Sequence, residues 1–319
     1  MCILYTPMYF TRLKQLERCL NSERQNSNDV PCLFPYHVEN PAFPIRSKER
    51  YLPVPCGKCP PCCERKSNAW QFRLLQQEKV SDSAAFITLT YNTDHVPISK
   101  RGYMTLDKTD FQKFMKRLRK LHPFTTKISY YAVGEYGSTT FRPHYHAIIF
   151  NCDLTQIQKA WTNPKTNKPI GECHAGSVTG ASIAYTCKYL SKGKIIPVHA
   201  NDDRLPEFSL MSKKLGANYL TPAAIEYHKA DITRNYVTLE GGVKIAMPRY
   251  YREKIYNDEE RHEQGKQIAK SSERAEQSRR DAHARTTGRP DLYERDQLEG
   301  KRSIIRNARQ RAKNNRRKI

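Results

Sequence analysis

Arg142-Pro143-His144-Tyr145-His146-Ala147-Ile148-Ile149-Phe150 is the stretch on which the fold turns. Aromatic and β-branched residues crowd it, and the reading is a strand over residues 145–150 continuing from His144. Side chains alternate along a strand, so His144, His146 and Ile148 share one face while Tyr145 lies on the other. Two imidazoles about 7 Å apart at Cα can converge on one divalent ion. The plainer alternative is a pair of half-buried histidines.

The neighbouring segments weigh between these readings. Residues 127–133 predict a second strand, and the segment from Gly134 to Pro143 reads as the loop joining the two. Glu135 then lies just past a strand end. A hairpin would bring it beside His144 and complete a two-histidine, one-carboxylate site. Such mixed ligands with open positions suit Mn²⁺ or Mg²⁺ acting on a phosphate. Further upstream, residues 84–91 (AAFITLTY) predict a strand and residues 68–79 a helix. Residues 107–121 place Phe111, Phe114, Met115, Leu118 and Leu121 on one face of a basic amphipathic helix, with Asp107 as N-cap. Downstream, 153–161 reads as a short helix and 177–192 as another. The order β-α-β-β-α-α predicts an α+β domain with a mainly antiparallel sheet.

The last of these helices carries Tyr185-Thr186-Cys187-Lys188-Tyr189-Leu190-Ser191-Lys192. Tyr185 and Tyr189 stand at i and i+4, about 6 Å apart along the axis. Lys188 and Lys192 each follow a tyrosine by three residues. A phenol with a pKa of about 10 is a weak nucleophile, and a nearby ammonium favours the phenolate. Packing of both rings as helix core is the alternative reading.

Phe86-Ile87-Thr88-Leu89-Thr90-Tyr91, Gly134-Glu135-Tyr136-Gly137, Arg142-Pro143-His144-Tyr145-His146 and Tyr185-x-x-Lys188-Tyr189 together resemble the HUH endonuclease superfamily. They are more closely similar to the replication initiation proteins of gokushoviruses, small phages of the Microviridae. Cys56-Gly57-Lys58-Cys59 and Met247-Pro248-Arg249-Tyr250-Tyr251 add to the likeness, which spans residues 54–255. The resemblance implies a ferredoxin-like, RRM-type sheet with a metal site on its central strands. It assigns His144, His146 and Glu135 to Mg²⁺ or Mn²⁺, the nucleophilic role to Tyr185 and Tyr189, and the family lysine to Lys188. The activity implied is rolling-circle initiation: nicking and rejoining of single-stranded DNA at a phage origin through a 5′-phosphotyrosine. A non-catalytic RRM-like binder of single-stranded nucleic acid is the alternative.

Composition agrees with a polyanionic partner. Lys and Arg number 55 against 32 Asp and Glu, a formal charge of 55 − 32 = +23 over 319 residues. Cations that neutralise phosphates release condensed counterions, so nucleic acid is favoured over a merely solvated basic surface. No stretch reaches the roughly 18 apolar residues of a membrane span, and the first residues do not read as a signal peptide. Ten cysteines then suggest a reducing compartment, the host bacterial cytoplasm. Cys56, Cys59, Cys62 and Cys63 cluster within eight residues and read as a structural zinc site. Four such close thiolates would strain one tetrahedron, so Cys32, Cys19 or His37 is a candidate distant ligand. Free thiols are the alternative, and an iron–sulfur cluster a weaker one.

The expected organisation is a Cys-bearing N-terminal extension over 1–79, a nuclease domain over 80–200, an accessory segment over 201–255 and a basic tail over 256–319. That tail reads as a long solvated helix or a disordered arm. Its last 19 residues hold nine Lys or Arg and no acid. It suits non-specific DNA contact, or contact with a host replication helicase or polymerase.

Overall fold

A computed structural model of the chain describes residues 32–39, 51–122, 125–188, 196–239 and 242–317. Its strands are β1 (Tyr36–Glu39), β2 (Tyr51–Val54), β3 (Ala84–Leu89), β4 (Ser129–Tyr136), β5 (Pro143–Phe150), β6 (Cys173–Ser177), β7 (Phe208–Met211), β8 (Tyr236–Thr238) and β9 (Lys244–Ala246). Its α-helices are α1 (Pro60–Glu78), α2 (Lys108–Leu121), α3 (Ile157–Ala160), α4 (Gly180–Lys188), α5 (Pro222–Lys229), α6 (Arg249–Ile255), α7 (Asp258–Thr287) and α8 (Tyr293–Arg317). Two compact units result. Trp70–Tyr219 makes up the described part of one; the segments up to Ala69 and from Leu220 make up the other.

The first unit is built on a five-stranded sheet in the order β6-β3-β5-β4-β7, with every pairing antiparallel. The α+β class expected from the sequence is therefore present. Alternation along the central strands sorts residues into two cores. Ala85, Ile87 and Leu89 of β3 join Tyr145, Ala147 and Ile149 of β5 on one face, covered by Phe111, Phe114, Met115 and Leu118 of α2. Each of these four helix side chains contributes about 1.5–3 kcal/mol through burial. The other face gathers Tyr131, Val133, Ile148 and Phe150 under Leu74 of α1 and Ile183 and Cys187 of α4.

Several expected boundaries move, each for a physical reason. The strand expected to stop at Val133 runs on to Tyr136, because the hairpin closes later: Gly137 N donates to Arg142 O at 3.0 Å. Glu135 is thus a strand residue, not a loop residue. Ser177, expected to start a helix, instead ends the edge strand β6, and α4 begins at Gly180. The helix expected from Asn68 begins eight residues earlier, since Pro60 and Pro61 occupy a first turn where no amide donor is needed. The segment 153–161 forms a 3₁₀ turn over Leu154–Gln156 before the single turn of α3. α2 stands where expected, and Asp107 caps it by accepting from Thr109 N at 2.7 Å.

In the second unit β1 pairs with β2 and β8 with β9, both antiparallel. The tail read as a long helix or disordered arm is helical. Asn257 and Glu260 form a reciprocal capping box at the start of α7, and Gly288, with φ +65°, ends it. Among the described residues no helix is long and apolar enough to cross a membrane.

Candidate functional site

Register assembles the site. β4 and β5 pair Glu135 with His144 and Val133 with His146, while β3 pairs Thr88 with His146. Glu135, His144 and His146 therefore lie on one face at the centre of the sheet. Glu135 Oε1 is 2.9 Å from His144 Nε2 and 3.5 Å from His146 Nε2. One ligand atom from each residue falls within 4.8 Å of the other two, a grouping able to hold a metal ion.

The other ring nitrogens explain why both Nε2 atoms converge. His144 Nδ1 lies 3.2 Å from the carbonyl oxygen of Arg142, which can only accept, so Nδ1 carries the proton there. His146 Nδ1 sits 2.9 Å from Thr88 Oγ1. In the neutral imidazole this leaves Nε2 of His144 as a lone-pair donor, and the same tautomer of His146 follows when Thr88 accepts. Burial alone would push the Glu135 carboxyl up. Hydrogen bonds and charge from His144 and His146 outweigh it and hold the group at about 2. Glu135 is therefore a carboxylate at neutral pH, as a ligand must be.

Aromatic rings wall the site. Phe86 stacks on His146 with centroids 5.5 Å apart and planes 14° from parallel. Tyr185, from α4, meets His146 edge-on at 5.6 Å and Phe86 at 6.1 Å. Its ring is 45% exposed, so it borders solvent and the histidine pair at once. Lys188 is the last residue of α4; Tyr189 and Lys192 lie outside the described residues.

Tyr91, Tyr130, Tyr131 and Arg142, near the sheet in sequence, are engaged within the unit. Tyr91 and Tyr131 are buried, and Tyr130 packs on Phe111 with centroids 5.4 Å apart. Arg142 Nη2 donates to the Tyr91 carbonyl at 2.8 Å. Sequence reasoning missed Thr88 and Phe86 as supports of the site. Their strand is legible, but only the pairing of β3 with β5 shows which histidine they serve.

The cysteines form a second grouping able to hold a metal: Cys32, Cys56, Cys59 and Cys62, whose sulfurs lie within 4.8 Å of one another. Cys63, expected among the ligands, is replaced by Cys32. As neighbours on a helix, Cys62 and Cys63 point about 100° apart, so one position cannot serve both. Cys19 lies outside the described residues, and His37 is an exposed residue of β1.

The family described as Replication-associated protein ORF2 matches residues 84–194, a span that runs from β3 through α4 and so across the whole imidazole–carboxylate site. Replication-associated protein VP4 of Bdellovibrio phage phiMH2K is 31% identical over 252 residues, 71% of this chain and 76% of the relative. Replication-associated protein ORF2 of Spiroplasma virus 4 is 30% identical over 213 residues, 62% and 66% of the two chains. Replication-associated protein ORF4 of Chlamydia phage 1 is 23% identical over 226 residues, 65% of this chain and 54% of its own. No solved structure matches. By its likeness to the Bdellovibrio phage protein over three quarters of that protein's length, the chain belongs to the family of phage replication-associated proteins.

Proposed function

We propose that this protein initiates rolling-circle replication by nicking and rejoining single-stranded DNA, with Glu135, His144 and His146 as metal ligands and Tyr185 and Tyr189 as nucleophiles. The observation that carries the reading is the convergence of two Nε2 atoms and a carboxylate oxygen beside an exposed tyrosine ring. The central antiparallel strands bearing that site also support an HUH-type, RRM-like fold. Family membership supports a replication role on phage DNA in the host cytoplasm.

The donor set fits Mg²⁺ or Mn²⁺, and such an ion would neutralise charge on the scissile phosphate. The protein's own residues do the rest. Thr88 and the Arg142 carbonyl fix the two imidazoles, while Phe86 limits the rotation of His146. The tyrosine oxygen attacks phosphorus, the bond from phosphorus to the 3′-oxygen breaks, and that oxygen takes a proton. A free 3′-OH is left to prime synthesis, and the 5′-phosphate is esterified to tyrosine. In the reverse step a 3′-OH attacks the phosphotyrosine and the phenol regains its proton. One ester is exchanged for another, so rejoining needs no nucleotide cofactor. Lys188, three residues beyond Tyr185, supplies positive charge along the same helix.

Cleavage of single-stranded DNA in Mn²⁺, with chelator as control, tests this. A His144→Ala, His146→Ala double variant should lose cleavage and keep binding, since phosphate contacts carry most of the affinity. Undiminished cleavage by that variant would overturn the metal assignment. Binding without any cleavage by the wild type would favour a non-catalytic binder.

A further inference from the structure

We propose that Cys32, Cys56, Cys59 and Cys62 hold one structural zinc ion and that Cys63 takes no part in binding it. Their four sulfurs lie within 4.8 Å of one another. Four sulfurs each about 2.3 Å from a central zinc stand about 3.8 Å apart in a regular tetrahedron. The Cys59 and Cys32 sulfurs are 3.8 Å apart. All four are free cysteines.

The surrounding backbone treats these sulfurs as anions. Cys56 N donates to Cys32 Sγ at 3.2 Å, and Leu33 N points at Cys59 Sγ at 3.5 Å. Lys58 N and Cys59 N both donate to Cys56 Sγ, at 3.4 and 3.3 Å. A neutral thiol is a weak acceptor, whereas a thiolate gathers such donors. Several thiolates so close together repel one another unless a cation sits between them. The turn that aims the amides depends on Gly57, whose φ of +69° favours glycine. Lys66 Nζ secures it by donating to Gly57 O at 3.1 Å. Cys63 behaves in the opposite way. Its Sγ is the donor, directed at the carbonyl oxygens of Lys58 at 3.5 Å and Gly57 at 4.0 Å. A sulfur spending its proton in this manner is a thiol, not a ligand.

Ligand chemistry selects the ion, and burial selects its role. Four thiolates favour zinc and disfavour Mg²⁺ or Mn²⁺, which prefer oxygen. Cys32, Cys59 and Cys62 are each buried, among Leu33, Phe34 and Ile305 of α8. Four protein ligands leave no position for water or substrate, which marks a structural site. The need for one is plain: β1 and β2 have four residues each, and so small an apolar cluster gains from a cross-link. The ion would join the segment before β1, the turn after β2 and the first turn of α1.

The test is elemental analysis of the full chain purified under reducing conditions without added metal. Alongside it, the visible spectrum is recorded after exchange with Co²⁺, which reports the number of thiolate ligands. Wild type and Cys63→Ser should each carry about one zinc per chain and show the same four-thiolate cobalt spectrum. Cys32→Ser should lose the zinc to a chelator at concentrations that leave wild type loaded. Should Cys32→Ser fail to fold, the spectra of wild type and Cys63→Ser decide alone. Absence of zinc, iron in its place, or a three-thiolate spectrum in Cys63→Ser would overturn the proposal.

Discussion

His144 and His146 face one way along β5 and Tyr145, between them, faces the other. On the core face the Tyr145 hydroxyl donates to Asp107 O at 2.6 Å and lies 2.7 Å from the Tyr91 hydroxyl. Burial pushes both phenols far above their usual range, so they serve as hydrogen-bonding struts and never as phenolates. On the site face the polar groups converge on one another instead, and Tyr185 borders solvent. A single strand thus holds a tyrosine that cannot react next to histidines placed to bind. Burial and partners, rather than residue type, separate structure from chemistry.

That separation can be broken by substitution, one face at a time. The largest effect should come from Glu135→Ala. Losing the carboxylate should lower Mn²⁺-dependent cleavage on the order of a thousandfold, the several kcal/mol a positioned cation supplies. The melting temperature should change little, because a buried charge is removed along with its partners' attraction. A large loss of stability with cleavage retained would make Glu135 a core residue.

Tyr145→Phe should do the reverse. It strands the buried groups at Tyr91 and Asp107, costing about 1–3 kcal/mol in denaturant unfolding, with Mn²⁺-dependent cleavage within about twofold of wild type. Equal loss of both properties would mean the two faces are not independent.

Thr88→Val is the subtlest change. It keeps the shape and removes the hydroxyl beside His146 Nδ1. Apparent Mn²⁺ affinity should fall about tenfold, at the low end for loss of such a support, with maximal cleavage recovered at high Mn²⁺. Unchanged affinity would assign the orientation of His146 to the Phe86 stack alone.

How much of the fold and site is legible in the sequence follows from the range of each signal. The shared face of His144 and His146 and the core face of α2 arise from local periodicity, and both stand as expected. Glu135 reads as a loop residue because two nearby glycines imitate a turn. Gly134 is a strand residue, and a Cβ there would come within 3.0–3.1 Å of Phe208 and Leu106. Packing, not turning, requires that glycine. β6 escapes sequence reasoning because Cys-His-Ala-Gly-Ser has neither a β-branched residue nor apolar alternation; only pairing with β3 makes it a strand. Cys63 resembles a ligand through adjacency, while Cys32 lies 24 residues from Cys56 and is joined to it by folding alone.

A covalent bond between the tyrosine helix and DNA is the step on which the proposed function stands. The direct measurement incubates the protein with uniformly labelled single-stranded viral DNA in Mn²⁺, removes the DNA with nuclease and maps the labelled peptide. Label is expected on Tyr185 or Tyr189. Tyr185→Phe and Tyr189→Phe should each still be labelled at the remaining tyrosine, and the double variant should bind DNA without any label. A wild type that binds and forms no adduct, or a double variant labelled as strongly as wild type, would contradict the proposed chemistry.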